Sequence, residues 1–155
     1  MQGKEFRSYL EKELDEGVYA DLETMDARML WGGGSLHIED VPEAVTTASE
    51  RARDIIGEIL DIAEKEIHPD VEIPEDLEKS ARSLVNKIVS TVDDFVDEVC
   101  RYEADLESVG EEYSDEFSQL SGESSALTED MSSRKLDVDP GWYELLGSLE
   151  KNFGK

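Results

Sequence analysis

The chain has 155 residues, in which 40 aspartates and glutamates outnumber 15 lysines and arginines, giving a formal net charge of −25. Such an acidic chain has no basic patch that could displace counterions from phosphates, so direct binding to DNA, RNA or an anionic membrane is excluded. The single cysteine, Cys100, excludes an intrachain disulfide and a cysteine-based zinc site. The apolar content of 38% is enough for one domain to bury a core.

The acidity itself has three interpretations. Repulsion among so many carboxylates destabilises a compact chain, and molar salt relieves that repulsion by shortening the screening length to about 3 Å. Adaptation to high salt is therefore the leading interpretation. The two alternatives are an ordinary acidic helical protein with solvated faces and a mimic of nucleic-acid phosphates.

The first residues do not have the pattern of a secretion signal. Charges are mixed throughout residues 1–14, and no apolar run of the chain reaches the length of a membrane span. We therefore expect the protein in the cytoplasm or the virion of a halophilic organism, without membrane association.

The first predicted helix covers residues 3–30. Gly17 interrupts it at a cost of about 1 kcal/mol relative to alanine, which weakens the helix without ending it. The glycine run at residues 32–34 then predicts a flexible turn. One face of this helix carries Phe6, Leu10, Leu14, Val18, Leu22, Met25 and Met29.

The second predicted helix begins at Asp40-Val41-Pro42, where an N-cap and a first-turn proline stand together, and ends before His68-Pro69. A short link leads to Pro74, which opens the third helix, so the two helices are predicted to be antiparallel neighbours. The third helix carries a heptad-like seam, typical of a coiled coil, in which apolar residues alternate in steps of three and four. The seam consists of Val85, Ile88, Val92, Phe95, Val99, Tyr102, Leu106, Val109 and Tyr113.

The third helix is predicted to be longer than its neighbours. It runs to Leu120, about 70 Å at 1.5 Å per residue, whereas the second helix is about 40 Å long and stops opposite roughly Arg101. If Gly110 ended the third helix, this mismatch would be lost. Otherwise, the far end is an uncovered apolar overhang that a protein partner buries. The overhang comprises Leu106, Val109, Tyr113, Phe117 and Leu120.

Residues 121–139 are rich in serine, glycine and acids and lack an apolar period, which predicts a linker. Asp139-Pro140 then starts a short amphipathic helix over residues 140–155. This helix either folds back in cis over the overhang or docks on a neighbouring subunit or another protein, and both hold if subunits exchange it. Its apolar face consists of Trp142, Leu145, Leu146, Leu149 and Phe153.

The sequence does not indicate catalysis. Acidic pairs three residues apart, such as Glu58 with Asp61 and Asp94 with Asp97, are the kind that holds magnesium on facing helices, but a chain with 40 acidic residues contains such pairs by chance. The two histidines lie at element ends and support neither a nucleophile-histidine-acid set nor a di-iron site. We therefore predict a protein that is not an enzyme, without catalytic residues, cofactor or metal.

The predicted architecture is all-α. An antiparallel three-helix bundle with an overlong third helix occupies residues 1–120, followed by the linker 121–139 and the docking helix 140–155. The sequence favours non-catalytic assembly, as a structural subunit, adaptor or connector of a larger homo-oligomeric or virion-type complex adapted to high salt. Its partners are then copies of itself or other subunits. The alternative is an acidic mimic that occupies the basic groove of a nucleic-acid-binding protein.

Overall fold

The first helix changes its winding in the middle. In the computed structural model, which describes residues 1–31, 42–100 and 105–137, it consists of α1 (Gly3–Leu10), a π-helix (Glu11–Tyr19) and α2 (Ala20–Trp31). The backbone amide of Ala20 donates to the carbonyl of Asp15, the five-residue bond that defines a π-helix. These three parts form one continuous N-terminal helix, as the sequence predicts.

The wide winding agrees with the spacing of the apolar residues. In an α-helix, four residues advance about 40° beyond a full turn, so a row with steps of four drifts around the helix. A π-helix has more residues per turn, which turns the row back toward the other helices. The row is buried along its whole length and consists of Phe6, Leu10, Leu14, Val18 and Leu22.

The next two helices, α3 (Glu43–Glu66) and α4 (Glu75–Val99), each begin directly after a proline in extended conformation, Pro42 and Pro74. Proline fixes φ at these positions, and its missing N–H is one that a first turn does not use. The predicted start of both helices and the predicted end of α3 therefore agree with the structure within one or two residues.

The prediction of an overlong third helix is wrong. The helix ends at Val99, and a separate helix, α5 (Leu106–Ser133), begins after Asp105. The Asp105 carboxylate accepts hydrogen bonds from the amide of Ser108 at 3.4 Å and from its hydroxyl at 3.0 Å, as an N-cap does. The heptad spacing continues past the break because both helices turn an apolar face toward one core.

The stretch 121–133, predicted to belong to a linker, is the second half of α5. Its small polar side chains fit inside the protein: Ser124 and Thr128 are buried. The Ser124 hydroxyl has no hydrogen-bond partner among the described residues, so the small size of the side chain accounts for its place there. A composition typical of linkers here serves helix packing.

Helix α5 runs parallel to α3. Gly110 near its start lies against Ala44, at the start of α3. Further along both helices, the Arg51 guanidinium donates to the carbonyl of Ser114 at 3.0 Å and to the hydroxyl of Ser118 at 2.5 Å. Of the described helices, these two share the most extensive contact.

Helix α4 runs antiparallel to α5. Phe95 near the end of α4 contacts Tyr113 near the start of α5, while Arg134, just after α5, pairs with Asp76 at the start of α4. The backbones of α3 and α4 scarcely approach each other within the described residues, so the prediction that they are direct neighbours is wrong. The N-terminal helix and α5 pack against both of them instead.

The N-terminal helix is parallel to α4. Gly3 lies against His68 in the connection between α3 and α4, and the Arg82 guanidinium lies 4.6 Å from the centre of the Tyr9 ring. One apolar core extends through all four helices. The protein is thus all-α, as predicted, and the described residues contain no strand apart from an isolated bridge between Gln2 and Glu72.

Candidate protein-interaction site

The five residues of the predicted overhang belong to the core of their own chain. Val109, Tyr113, Phe117 and Leu120 are buried, and Leu106 is partly buried against them. The premise that this part of the seam lacks cover within the chain is wrong, because the break after α4 returns it as α5 against α3 and α4. That these five residues bind a partner stays a prediction without this support.

Three aromatic rings join α4 to α5 near the break. The ring centre of Phe95 lies 5.3 Å from that of Tyr113 and 5.6 Å from that of Phe117, in tilted and edge-to-face geometry. Such pairs contribute about 0.5–1.5 kcal/mol beyond the burial of their area. This aromatic cluster fills the space between the two helices at one end of their contact.

At the other end of this contact, small side chains leave a groove of about 880 Å³ between the two helices. The ion pair of Lys87 with Glu123, at 2.9 Å, closes it on the side of the aromatic cluster. We call this surface the α4–α5 groove. It is lined by Lys79, Ser80, Ser83, Leu84, Lys87, Glu123, Ala126, Leu127, Glu129, Asp130 and Ser133.

Sequence reasoning did not identify the groove. Its buried floor, Leu84 and Leu127, was detectable as apolar positions, but only the antiparallel pairing of α4 with α5 brings the two together. A local signal for that pairing was the Asp105 cap, which marks the start of a new helix.

The chain leaves the described residues at the base of the bundle. Lys135 has a φ of 55°, the left-handed conformation that ends a helix. The carbonyl of Leu136 then accepts a hydrogen bond of 2.7 Å from the amide of His68, and Leu136 is buried there. Residues 138–155 lie outside the described residues, and with them the predicted contacts of Trp142, Leu145, Leu146, Leu149 and Phe153.

Four carboxylates gather at the edge of the aromatic cluster, and we call them the acidic cluster. They belong to Asp94 and Glu98 of α4 and to Glu112 and Glu116 of α5. Partial burial, reinforced by its three acidic neighbours, raises the pKa of Glu116 above its ordinary value of 4.5. Burial, together with a hydrogen bond to the Glu98 carboxylate, raises the pKa of Tyr113 as well.

A second pair of acids meets between the N-terminal helix and α4. Burial raises the pKa of Asp93 above its ordinary value, and the charges of Asp21, Asp97 and Asp94 raise it further. These directions identify places where neutralisation of negative charge, by protons or by bound or diffuse cations, favours the folded chain.

The described residues contain no group of three or more histidine, cysteine, aspartate and glutamate side chains that could hold a metal ion. The ring nitrogen Nδ1 of His68 accepts a hydrogen bond of 3.1 Å from the amide of Asp70, a turn contact. His37 lies outside the described residues. Within the described part of the chain, no helix is both long enough and apolar enough to span a membrane.

Comparison of the chain with protein-family models, with characterised proteins and with solved structures finds no match.

Proposed function

We propose that this protein is a non-catalytic helical assembly protein, which joins copies of itself or subunits of a larger complex. It acts as a structural subunit, adaptor or connector, of the kind found in virion-type complexes, and residues 140–155 form its joining element. The observation that carries this proposal is the row of five large apolar residues in that segment, placed after a bundle whose four helices already share a core.

The position of the segment supports the proposal. The chain passes Leu136 at the base of the bundle, so the residues that follow start at an end of the molecule instead of inside it. An amphipathic helix that starts there can place its apolar face into a groove of a neighbouring protein. Burial of Trp142, Leu146 and Leu149 would supply most of the binding free energy, because large apolar side chains contribute about 1.5–3 kcal/mol each on full burial.

Adaptation to high salt is part of the proposal. The acidic cluster and the contact of Asp93 with Asp21 bring like charges together across helix contacts. Salt at molar concentration screens such contacts within about 3 Å and leaves apolar burial intact. Assembly through an apolar face therefore holds or strengthens as salt rises.

The test is the molar mass of the full chain by light scattering at low and at molar salt. The proposal predicts at least twice the monomer mass of 17.4 kDa in molar salt, and the monomer mass for a full chain that carries Leu146→Asp and Leu149→Asp. A wild-type chain that is monomeric at both salt concentrations, at all protein concentrations that can be reached, contradicts it.

A second candidate function is the acidic mimic of nucleic-acid phosphates, and the acidic cluster favours it, because two helices contribute carboxylates to one surface. A complex of this kind with a basic protein loses affinity steeply as salt rises from low to moderate concentration, as phosphate contacts do. Apolar assembly has the opposite salt dependence, so a salt titration of any complex that forms separates the two functions.

A further inference from the structure

We infer that the α4–α5 groove receives the apolar face of residues 140–155 from a second copy of this chain. The inference rests on the proposed function, since it names the surface to which the joining segment binds.

The groove has the dimensions that such a segment requires. On α4 it extends from Lys79 to Lys87, about 12 Å along the helix, and the apolar row from Trp142 to Leu149 covers about 10 Å of a helix. The walls carry small side chains that leave room for large ones. They are Ser80 and Ser83 on α4 and Ala126 and Ser133 on α5.

The charges of the two surfaces are complementary. Lys79 and Lys87 stand on the α4 side of the groove, although the chain as a whole has few basic residues. The segment carries Asp139, Glu144 and Glu150 before its first lysine, at position 151. An acidic and apolar helix is repelled by most of this protein's surface and meets two exposed ammonium groups here, which favours this position on encounter.

The path of the chain favours a second copy over the same copy. After α5 the chain passes beneath α3, where the carbonyl of Leu136 is bonded to His68, on the side away from the α4–α5 groove. Only residues 138–141 remain before Trp142, and four residues span at most about 14 Å. The groove of another copy is free of this restriction, and two copies can exchange their segments symmetrically.

The test fills the groove without changing the core. Ala126 is exposed on the groove wall, and Ala126→Trp occupies the space that Trp142 or Leu149 of the second copy would take. Gln119→Trp is the matched control, because Gln119 is exposed on the same helix and does not line the groove. Ser83→Trp blocks the opposite wall, so that a folding defect of one variant is not mistaken for a blocked groove. Thermal unfolding establishes that each variant is folded.

In molar salt we expect the wild type and Gln119→Trp to have at least twice the monomer mass, and Ala126→Trp and Ser83→Trp to have the monomer mass. Folded Ala126→Trp and Ser83→Trp chains that assemble like the wild type overturn the inference and leave the proposed function standing. A wild type that stays monomeric, with residues 140–155 protected from proteolysis by its own groove, overturns both.

Discussion

Two glycines of α5 have opposite surroundings, and the difference gives a test of how closely α5 packs on α3. A Cβ atom on Gly110 would lie 2.5 Å from the backbone of Ala44 and Val45, whereas a Cβ on Gly122 would meet nothing within 4 Å. Gly110 is therefore required by the close approach of two backbones, and Gly122 only weakens its helix.

We predict that Gly110→Ala lowers the free energy of unfolding by about 1–3 kcal/mol, because backbone on α3 must move to admit the methyl group. Gly122→Ala raises it by about 0.5–1 kcal/mol, the gain of alanine over glycine in an exposed helix. Urea unfolding in molar salt measures both. Equal effects of the two substitutions would contradict the parallel packing of α3 and α5.

Glu116 gives a prediction on pH. Its pKa is raised in the folded chain by burial and by its acidic neighbours, so the folded state takes up a proton at higher pH than the unfolded state, whose carboxyl has an ordinary pKa of 4.5. The stability contributed by this proton is present below pH 4.5 and is lost as the pH rises through the folded-state pKa. Mild acidification from neutral pH therefore stabilises the protein through this residue.

Glu116→Gln removes that dependence. At neutral pH and low salt we expect the variant to be more stable than the wild type by about 0.2–1 kcal/mol, the range for exposed charge interactions, and to gain less on acidification. Glu129→Gln, on the same helix outside the acidic cluster, is the control. A melting-temperature profile from pH 7 to pH 4 in which both variants follow the wild type would show that the acidic cluster is not coupled to folding.

Asp76 acts in the opposite direction at lower pH. Hydrogen bonds from Arg134 lower the pKa of its carboxyl below the ordinary value of 3.8, so its contribution is present above pH 3.8 and is lost as the pH falls through its folded-state pKa. The contact of α4 with the end of α5 weakens there, which sets an acid limit on the stabilisation that Glu116 gives.

At the scale of helices, the break between α4 and α5 decides the fold. The Asp105 carboxylate caps α5 through Ser108, and we predict that Asp105→Ala lowers the free energy of unfolding by about 1 kcal/mol, the usual loss for such a cap. Glu107→Ala, in the same turn but without a capping contact, is expected to have a smaller effect. Equal losses, measured by urea unfolding, would speak against a helix start at this position.

The sequence is sufficient to predict the helices whose ends carry prolines. Pro42, Pro74 and Pro69 mark boundaries by local chemistry, and the structure agrees with the predicted boundaries within one or two residues. The π-helix has a signal too, because four consecutive steps of four do not stay on one face of an α-helix.

The break after Val99 could not be predicted from periodicity, because the apolar repeat has the same spacing on both sides of it. The serine-rich half of α5 was assigned to a linker because serine is common in linkers. Its burial depends on which helix it meets, and that is a property of the tertiary arrangement. The α4–α5 groove depends on the same pairing, so it too was beyond the reach of local patterns.

At the scale of the whole molecule, the chain separates two uses of its apolar residues. The seam of α4 and α5 holds the bundle together, as the contacts of Phe117 with Phe95 show. The row that follows residue 140 is proposed to join one bundle to the next, and the many carboxylates keep the remaining surface hydrated. High salt is expected to support both, since it screens repulsion and strengthens apolar burial.

This division is the central claim, and Phe117 and Leu149 separate its two parts. Phe117→Leu shrinks a buried side chain in the core and is expected to lower the free energy of unfolding by about 1–2 kcal/mol. Leu149→Asp places a charge in the joining row and is expected to leave the unfolding of the bundle nearly unchanged.

The most direct measurement is the molar mass of these two variants by light scattering in molar salt. The account predicts that Phe117→Leu assembles like the wild type and that Leu149→Asp has the monomer mass of 17.4 kDa. The opposite pattern, in which a folded Phe117→Leu chain loses assembly and Leu149→Asp retains it, would return the interface to α5 and contradict the account.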